Sequence, residues 1–363
     1  MTLARPQEMS ALDGGLDGML REMLRRSASD LHLATNALPA FRVRGRLHRD
    51  EAMGPTDAAW IAAAMDAMGD TFDRGAYVRL MAADFGITRH GMRFRINLFR
   101  HERGDALAIR SLGEGALDFS QLGLPPAIEA LTGTRTGLVL VCGATGSGKS
   151  TTLSAMINRI NRTRPDHILT IEDPVETLHD DQMGIVRQRE LLTHAPDFAS
   201  AIRSALREDP DVILVGEMRD LETMRAALTA AETGHLVFST LHTGDAAGAV
   251  RRLIGAFPGS EQEAMRLRLS QSLRAVIAQH LLPTSDGRGR IPAIELMLCT
   301  AAIGHMIRAN KIEQIYSAIE GGRGLGMQTL EQSLATLLHE GWIARETAES
   351  YARDPEALAR LAR

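Results

Sequence analysis

Four residues carry the plainest chemistry in this chain: Gly143, Gly148, Lys149 and Ser150, within "GATGSGKST". Their spacing is G-x-x-x-x-G-K-S, the pattern of a loop whose backbone N–H groups converge on phosphate oxygens. Glycine lets the backbone turn tightly, and a helix that starts at the loop aims its free N–H groups and its dipole at the anion. The lysine reaches the β- and γ-phosphates, and the serine hydroxyl suits Mg²⁺. Gly143, Ala144, Thr145, Gly146, Ser147, Gly148, Lys149, Ser150 and Thr151 are therefore the candidate nucleotide contacts, with Lys149 also a catalytic candidate and Ser150 a metal ligand. With 33 glycines in 363 residues, a chance match is on the order of one in several hundred. Of the 41 basic residues only Lys149 and Lys311 are lysines. The wide, rigid head of arginine fits poorly inside a backbone cradle, so position 149 stands against the chain's arginine bias.

Hydrolysis needs more than a phosphate loop: an acid on the metal side, and a base or orienting group for water. In parallel sheets ligands lie at the carboxyl ends of the strands, and the chain places its acids there. The run "HILTIEDPVE" ends on Glu172, Asp173 and Glu176, "DPDVILVGE" on Glu217, and "GHLVFSTLH" on His242. Glu217 follows four apolar residues and a glycine that permits close approach, which points to the metal side. Glu176 is the candidate catalytic carboxylate, with Glu172 as its competitor. His235 and His242 bracket one strand; His242 is a candidate γ-phosphate or water contact, and His235 a lesser one.

The elements that must position these groups fall in two regimes. Residues 1–112 read as an α+β module. In it "LDGMLREMLRRSASD" has Leu16, Met19, Leu20, Met23 and Leu24 on one helical face. "DLHLATN" and "FRVRGRLHR" alternate like strands. "PTDAAWIAAAMDAMGD" is a helix capped by Thr56 or Asp57. "MRFRINLFRHERGDALAIRSL" is an antiparallel pair turning near Gly104-Asp105. Residues 113–124, rich in Gly and Pro, are the expected linker. From 125 to 363 strand and helix alternate at βαβ spacing, with continuously apolar strands that imply a mainly parallel sheet covered on both faces. From about residue 261 the pattern implies a helical extension, with "EQEAMRLRLSQSLRAVIAQHLLP" and "MQTLEQSLATLLHEG" as amphipathic helices.

The totals exclude several classes. A composition 44% hydrophobic and 24% charged is that of a globular protein with a full core. A net charge of −4 leaves no basic surplus for nucleic acid. Cys142 and Cys299 are too few and too far apart for a zinc module or a disulfide framework. The opening "MTLARPQEMS" lacks the apolar stretch of a secretory signal, and no run reaches the length of a membrane span.

Taken together, "GATGSGKST", "ILTIEDPVE", "REDPDVILVGEMRDLET" and "TGHLVFSTLHT", in that order, resemble the secretion-type ATPases of type IV pilus and type II/IV secretion machines. "SASDLHLATNALPAFRVRGRLHR" and "YSAIEGGRGLGMQTLEQSL" narrow the resemblance to the PilT-like branch of pilus retraction motors. The resemblance implies a PAS-like first domain, a RecA-like P-loop domain, a homohexamer, and ATP with Mg²⁺. It makes Glu176 the catalytic carboxylate, Glu217 the metal-side glutamate, and His235 and His242 a histidine pair. Arg95 and Arg110, with Arg103 a weaker member, become triphosphate contacts, a role suited to a planar bidentate head. It implies a cytoplasmic location at the inner-membrane face of a pilus machine, a PilC-like platform partner, and a possible paralogous motor. The missing paired-cysteine module favours retraction over extension. Against this, the family's AIRNLIRE box is altered at Ala302–Ala309, where Gly304, His305 and Ala309 replace Arg, Asn and Glu; the glycine weakens that helix by up to ~1 kcal/mol. Two expectations remain open: a hydrolysing retraction, accessory or secretion motor, or a nucleotide-gated assembly subunit with poor turnover.

Overall fold

The computed structural model describes residues 12–113 and 115–362. The opening "MTLARPQEMS" and Glu114 of the expected linker lie outside the described residues. The chain divides into two compact units, each built on its own sheet. The first runs to Gly115 and takes in Asp173–Leu178 and Arg189–Pro196; the second holds the remainder.

The first unit comprises α1 (Gly15–Arg25), β1 (Asp30–Ala34), β2 (Ala40–Val43), β3 (Arg46–Arg49), α2 (Ala58–Ala67), α3 (Arg74–Leu80), β4 (Ala82–Arg89), β5 (Met92–His101) and β6 (Gly104–Gly113). The strands form an antiparallel sheet in the order β3-β2-β1-β6-β5-β4. Alternation along β5 buries Phe94, Ile96 and Leu98, which pack with Leu107 and Ile109 of β6 and with Met19, Leu20 and Met23 of α1. Each such side chain contributes ~1.5–3 kcal/mol on burial. Of the two capping candidates for α2, Asp57 does the work, accepting from the Trp60 amide at 2.7 Å. Thr56 is buried and its hydroxyl donates to the Ala34 carbonyl.

The second unit opens with α4 (Phe119–Leu122) and α5 (Pro126–Leu131), so the segment read as a linker contains a helical turn, closed by a capping box between Asp118 and Gln121. There follow β7 (Gly137–Cys142), α6 (Lys149–Thr163), β8 (His167–Glu172), β9 (Ile185–Glu190), α7 (Phe198–Ala205), β10 (Val212–Val215), α8 (Leu221–Glu232), β11 (Leu236–Leu241) and α9 (Ala246–Gly255). The chain continues through α10 (Gln262–Ser272), β12 (Leu273–Pro283), β13 (Arg290–Leu298), α11 (Ala301–Arg308), α12 (Ile315–Gly321), α13 (Leu330–His339), α14 (Arg345–Tyr351) and α15 (Pro355–Leu361). The sheet order is β13-β12-β7-β11-β10-β8-β9. β12, β7, β11, β10 and β8 run parallel, and β13 returns antiparallel at the edge. Every residue of β7, β10 and β11 is buried, as a sheet covered on both faces requires.

The helical extension expected from about residue 261 is interrupted by two strands, β12 and β13. The stretch read as a single helix from residue 261 is a helix only as far as Ser272; Leu273–Pro283 is β12, paired directly with β7. Gly304 also has a packing reason. A Cβ there would stand 3.2 Å from the Ser270 carbonyl oxygen, so the glycine lets α11 lie close against α10.

Candidate functional site

The order of the strands decides what stands beside the phosphate loop. β7 ends at Cys142, in register with Leu241 of β11 on one side and Ala278 of β12 on the other. The next residues along the three strands are Gly143, His242 and Gln279, at one level of the sheet. β10 is in register with β11, Val215 opposite Ser239, which brings Glu217 to the same end.

The loop has the features of an anion cradle. Gly143, Gly146 and Gly148 take φ of +148°, +80° and +89°, values that only glycine adopts without strain. Helix α6 begins at Lys149 with no side-chain cap, so the amides of its first turn stay available for a ligand. Lys149 is buried, and its Nζ donates to the carbonyls of Gly143 and Ala144 at 2.9 Å each. The Ser147 hydroxyl is buried without a hydrogen-bond partner among the described residues. A buried cation, an orphaned hydroxyl and an uncapped helix start fit a phosphate chain.

Glu217 follows β10 with its side chain 14% exposed. One carboxylate oxygen lies 2.6 Å from Arg219 Nε and the other 3.4 Å from His242 Nε2. A carboxylate placed between a guanidinium and an imidazole is fixed in its direction. Arg219 was within the quoted motif but had no assigned role; its spacing two residues after Glu217 was the signal. For a metal, the candidate donors are the Ser150 hydroxyl and the Glu217 carboxylate. So sparse a set fits Mg²⁺, which keeps its waters and shares phosphate oxygens, rather than an ion caged by protein alone. His179 packs against α6 with Nε2 3.3 Å from the Ser154 hydroxyl, and burial pushes its pKa down to about 4, so it is neutral at physiological pH.

His235 is not brought to this end. It precedes β11, and its carbonyl accepts from the Gly137 amide at the start of β7. The length of β11 separates it from His242 by about 20 Å. Its Nδ1 lies 3.0 Å from the Ala230 carbonyl and 3.2 Å from the Thr233 hydroxyl, closing the end of α8. The two histidines bracket a strand, and a strand's two ends face opposite edges of a sheet. Glu172 is also occupied: its Oε1 accepts from Thr170 Oγ1 at 2.7 Å and Gln188 Nε2 at 3.2 Å.

The remaining candidates belong to the first unit. Arg95 and Arg110 are direct partners across β5 and β6. Arg95 grips Asp84, with its Nη2 2.6 Å from Oδ2, and approaches Glu176 at 4.0 Å; Arg110 Nε donates to Asp30 at 2.8 Å. Arg103 lies in the β5–β6 turn, about 25 Å from that pair along the hairpin. The segment carrying Glu176 is tied down by a pair that sequence reasoning missed. Buried Glu190 accepts from the amides of Val175 (3.1 Å) and Gly86 (3.2 Å) and meets Arg93 Nη2 at 3.0 Å. Arg93 Nε closes the loop by donating to the Val175 carbonyl at 3.0 Å. Gly86 leaves room for this pair, since a Cβ would fall 2.1 Å from the Arg93 guanidinium and displace it. No motif announces Arg93 or Glu190; they are far apart in sequence and meet only through the fold.

A family model described as type II/IV secretion system protein matches residues 7–340. The chain belongs to the type II/IV secretion system protein family. Within that family it is 46% identical over 334 residues to the type IV pilus retractation ATPase PilT of Pseudomonas aeruginosa, covering 92% of this chain and 96% of that one. It is also 46% identical over 321 residues to the twitching motility protein of Neisseria gonorrhoeae, covering 88% and 86%. The crystal structure of the pilus retraction motor PilT with bound ADP superposes with a TM-score of 0.88 at 42% identity, covering 95% of this chain and 99% of that one.

Proposed function

We propose that this secretion-family chain is a motor ATPase that hydrolyses ATP to drive type IV pilus retraction, and with it twitching motility. The observation that carries the reading is the meeting of the Lys149 loop with the Glu217–His242 pair at one level of the parallel sheet. The high identity to a retraction ATPase over nearly its whole length supports it.

In this reading the loop amides and Lys149 hold the phosphates, while Ser150 and Glu217 would hold Mg²⁺, which would supply charge neutralisation at the phosphate oxygens. His242 contacts the γ-phosphate or the attacking water. Glu176 accepts the proton of that water, with Glu172 set aside by its two internal hydrogen bonds. Arg95 and Arg110 remain the triphosphate contacts that the family resemblance implies. The PAS-like and RecA-like division, the homohexamer, a platform protein at the inner membrane and a paralogous partner belong to the same proposal. Among the described residues no helix is long and apolar enough to cross a membrane.

The test is steady-state ATP hydrolysis by the purified protein. Lys149→Ala should lose nucleotide binding; Glu217→Gln should keep binding and lose turnover. Tight ATP binding without turnover by the wild type would favour a nucleotide-gated assembly subunit instead. Gene deletion should leave surface pili in excess and abolish twitching. Unchanged piliation would assign the chain to an accessory or secretion role.

A further inference from the structure

The phosphate loop is held by a residue that no phosphate-loop pattern contains. Gln279 of β12 is 3% exposed. Its Nε2 donates to the Ser147 carbonyl at 2.7 Å, and its Oε1 accepts from the Thr152 hydroxyl at 2.8 Å. A single amide thus ties the turn of the loop to the first turn of α6. The pattern's two outer glycines also press on this residue. A Cβ at Gly143 would stand 2.4 Å from the Gln279 carbonyl oxygen, and a Cβ at Gly148 2.7 Å from its Nε2.

We propose that Gln279 is a positioning residue for nucleotide binding: it holds the loop open so that its amides face the phosphates. The inference rests on the phosphate-loop reading above and extends it to β12. For successive N–H groups to converge on an anion, the neighbouring carbonyls must turn away and find donors elsewhere. Lys149 now serves Gly143 and Ala144, and Gln279 serves Ser147. A lysine that turns towards phosphate gives up its carbonyls; the buried Gln279 amide keeps its bond in either state. A side-chain amide donates to one group and accepts from another through one rigid plane. Glutamate has no donor for Ser147, and methionine, similar in length, has neither function. Because the Ser147 carbonyl belongs to the loop rather than to the reacting end of the nucleotide, ADP and ATP depend on Gln279 equally.

The experiment measures binding of a fluorescent ADP analogue and ATP turnover on the full-length protein. Gln279→Met is expected to weaken ADP about tenfold and to raise KM for ATP by a similar factor, with kcat at saturation within twofold of wild type. Gln279→Glu is expected to be at least as weak. Thr152→Val, which removes one of the two bonds and fills the same space, should weaken ADP about threefold in the wild-type background. In the Gln279→Met background it should have little further effect. Lys149→Ala is the control for the loop itself. ADP affinity within twofold of wild type in Gln279→Met, with Lys149→Ala binding lost, overturns the role of Gln279 alone. So does a lowered Tm with unchanged affinity of the folded protein. If Gln279→Met does not fold, wild-type affinity in Thr152→Val overturns it. Wild-type binding by Lys149→Ala overturns the loop reading and this inference with it.

Discussion

Breaking the Arg93–Glu190 pair should loosen the segment that carries Glu176, and the size of the effect follows from the geometry. The side chains are 14% and 5% exposed and 3.0 Å apart. At an effective dielectric constant of about 20, that separation is worth about 5.5 kcal/mol of attraction, against several kcal/mol of desolvation per ion. Arg93→Met leaves a buried carboxylate held by two amides alone and is expected to cost ~3–5 kcal/mol. Adding Glu190→Gln removes the stranded charge while keeping an acceptor, and should recover at least ~2 kcal/mol.

The chain has two tryptophans, and Trp60 lies in the first unit. In a Trp342→Phe background, urea unfolding followed by Trp60 fluorescence reports that unit alone. The pH dependence has a defined sign. Burial raises the Glu190 pKa above its usual value despite Arg93 and the two amides, so between the unfolded and folded values the native state binds more protons and stability falls as pH rises. Losing Arg93 raises the folded pKa further and extends that window upward. The cost of Arg93→Met should therefore shrink as the pH is lowered from 8 towards 5. A double-mutant coupling below ~0.5 kcal/mol, or a cost independent of pH, would refute the assignment of a buried ion pair.

Three further outcomes are expected. His235→Ala should leave ATP affinity and kcat within twofold of wild type while costing ~0.5–1.5 kcal/mol of stability through the lost contact to Ala230; a tenfold loss of affinity would return His235 to the nucleotide. Burial pushes the thiols of Cys142 and Cys299 up to about 12 and about 11, so a disulfide reagent at neutral pH should leave the native protein unmodified and label both in urea; fast native labelling of Cys142 would contradict its place in β7. Gly304→Ala should gain less than the ~1 kcal/mol of helix propensity, because its Cβ would stand 3.2 Å from the Ser270 carbonyl; the full gain in urea unfolding would show that α11 yields freely.

The candidate phosphate loop and Glu217 could be picked out because their signals are local: a fixed spacing, or an acid at the end of an apolar run. His235 misled because periodicity shows that a strand is bracketed but not which edge of the sheet each end faces. β12 was hidden for a different reason. Ala275, Val276, Ile277 and Ala278 are all fully buried, and a short run apolar on every side looks alike in a buried strand and a buried helix. With no glycine or proline flanking the Ser272–Leu273 junction, nothing marked the change. The Glu190 anchor and the Gln279 amide could not be read at all, since each joins residues brought together only by the fold. The same holds for the two short segments, around Glu176 and Glu190, that leave the second unit's run of sequence to complete the first.

The bond from Gln279 to Ser147 spans 132 residues. During synthesis the loop and β7 leave the ribosome long before the strand that flanks and braces them. At roughly 5–20 residues per second that interval is on the order of ten seconds. Through it the nascent sheet has an open, apolar edge where β12 will later lie, and an unfinished cradle. A newborn chain should therefore expose this edge until β12 arrives, and fragments truncated ahead of residue 279 should accumulate as aggregates rather than as nucleotide traps.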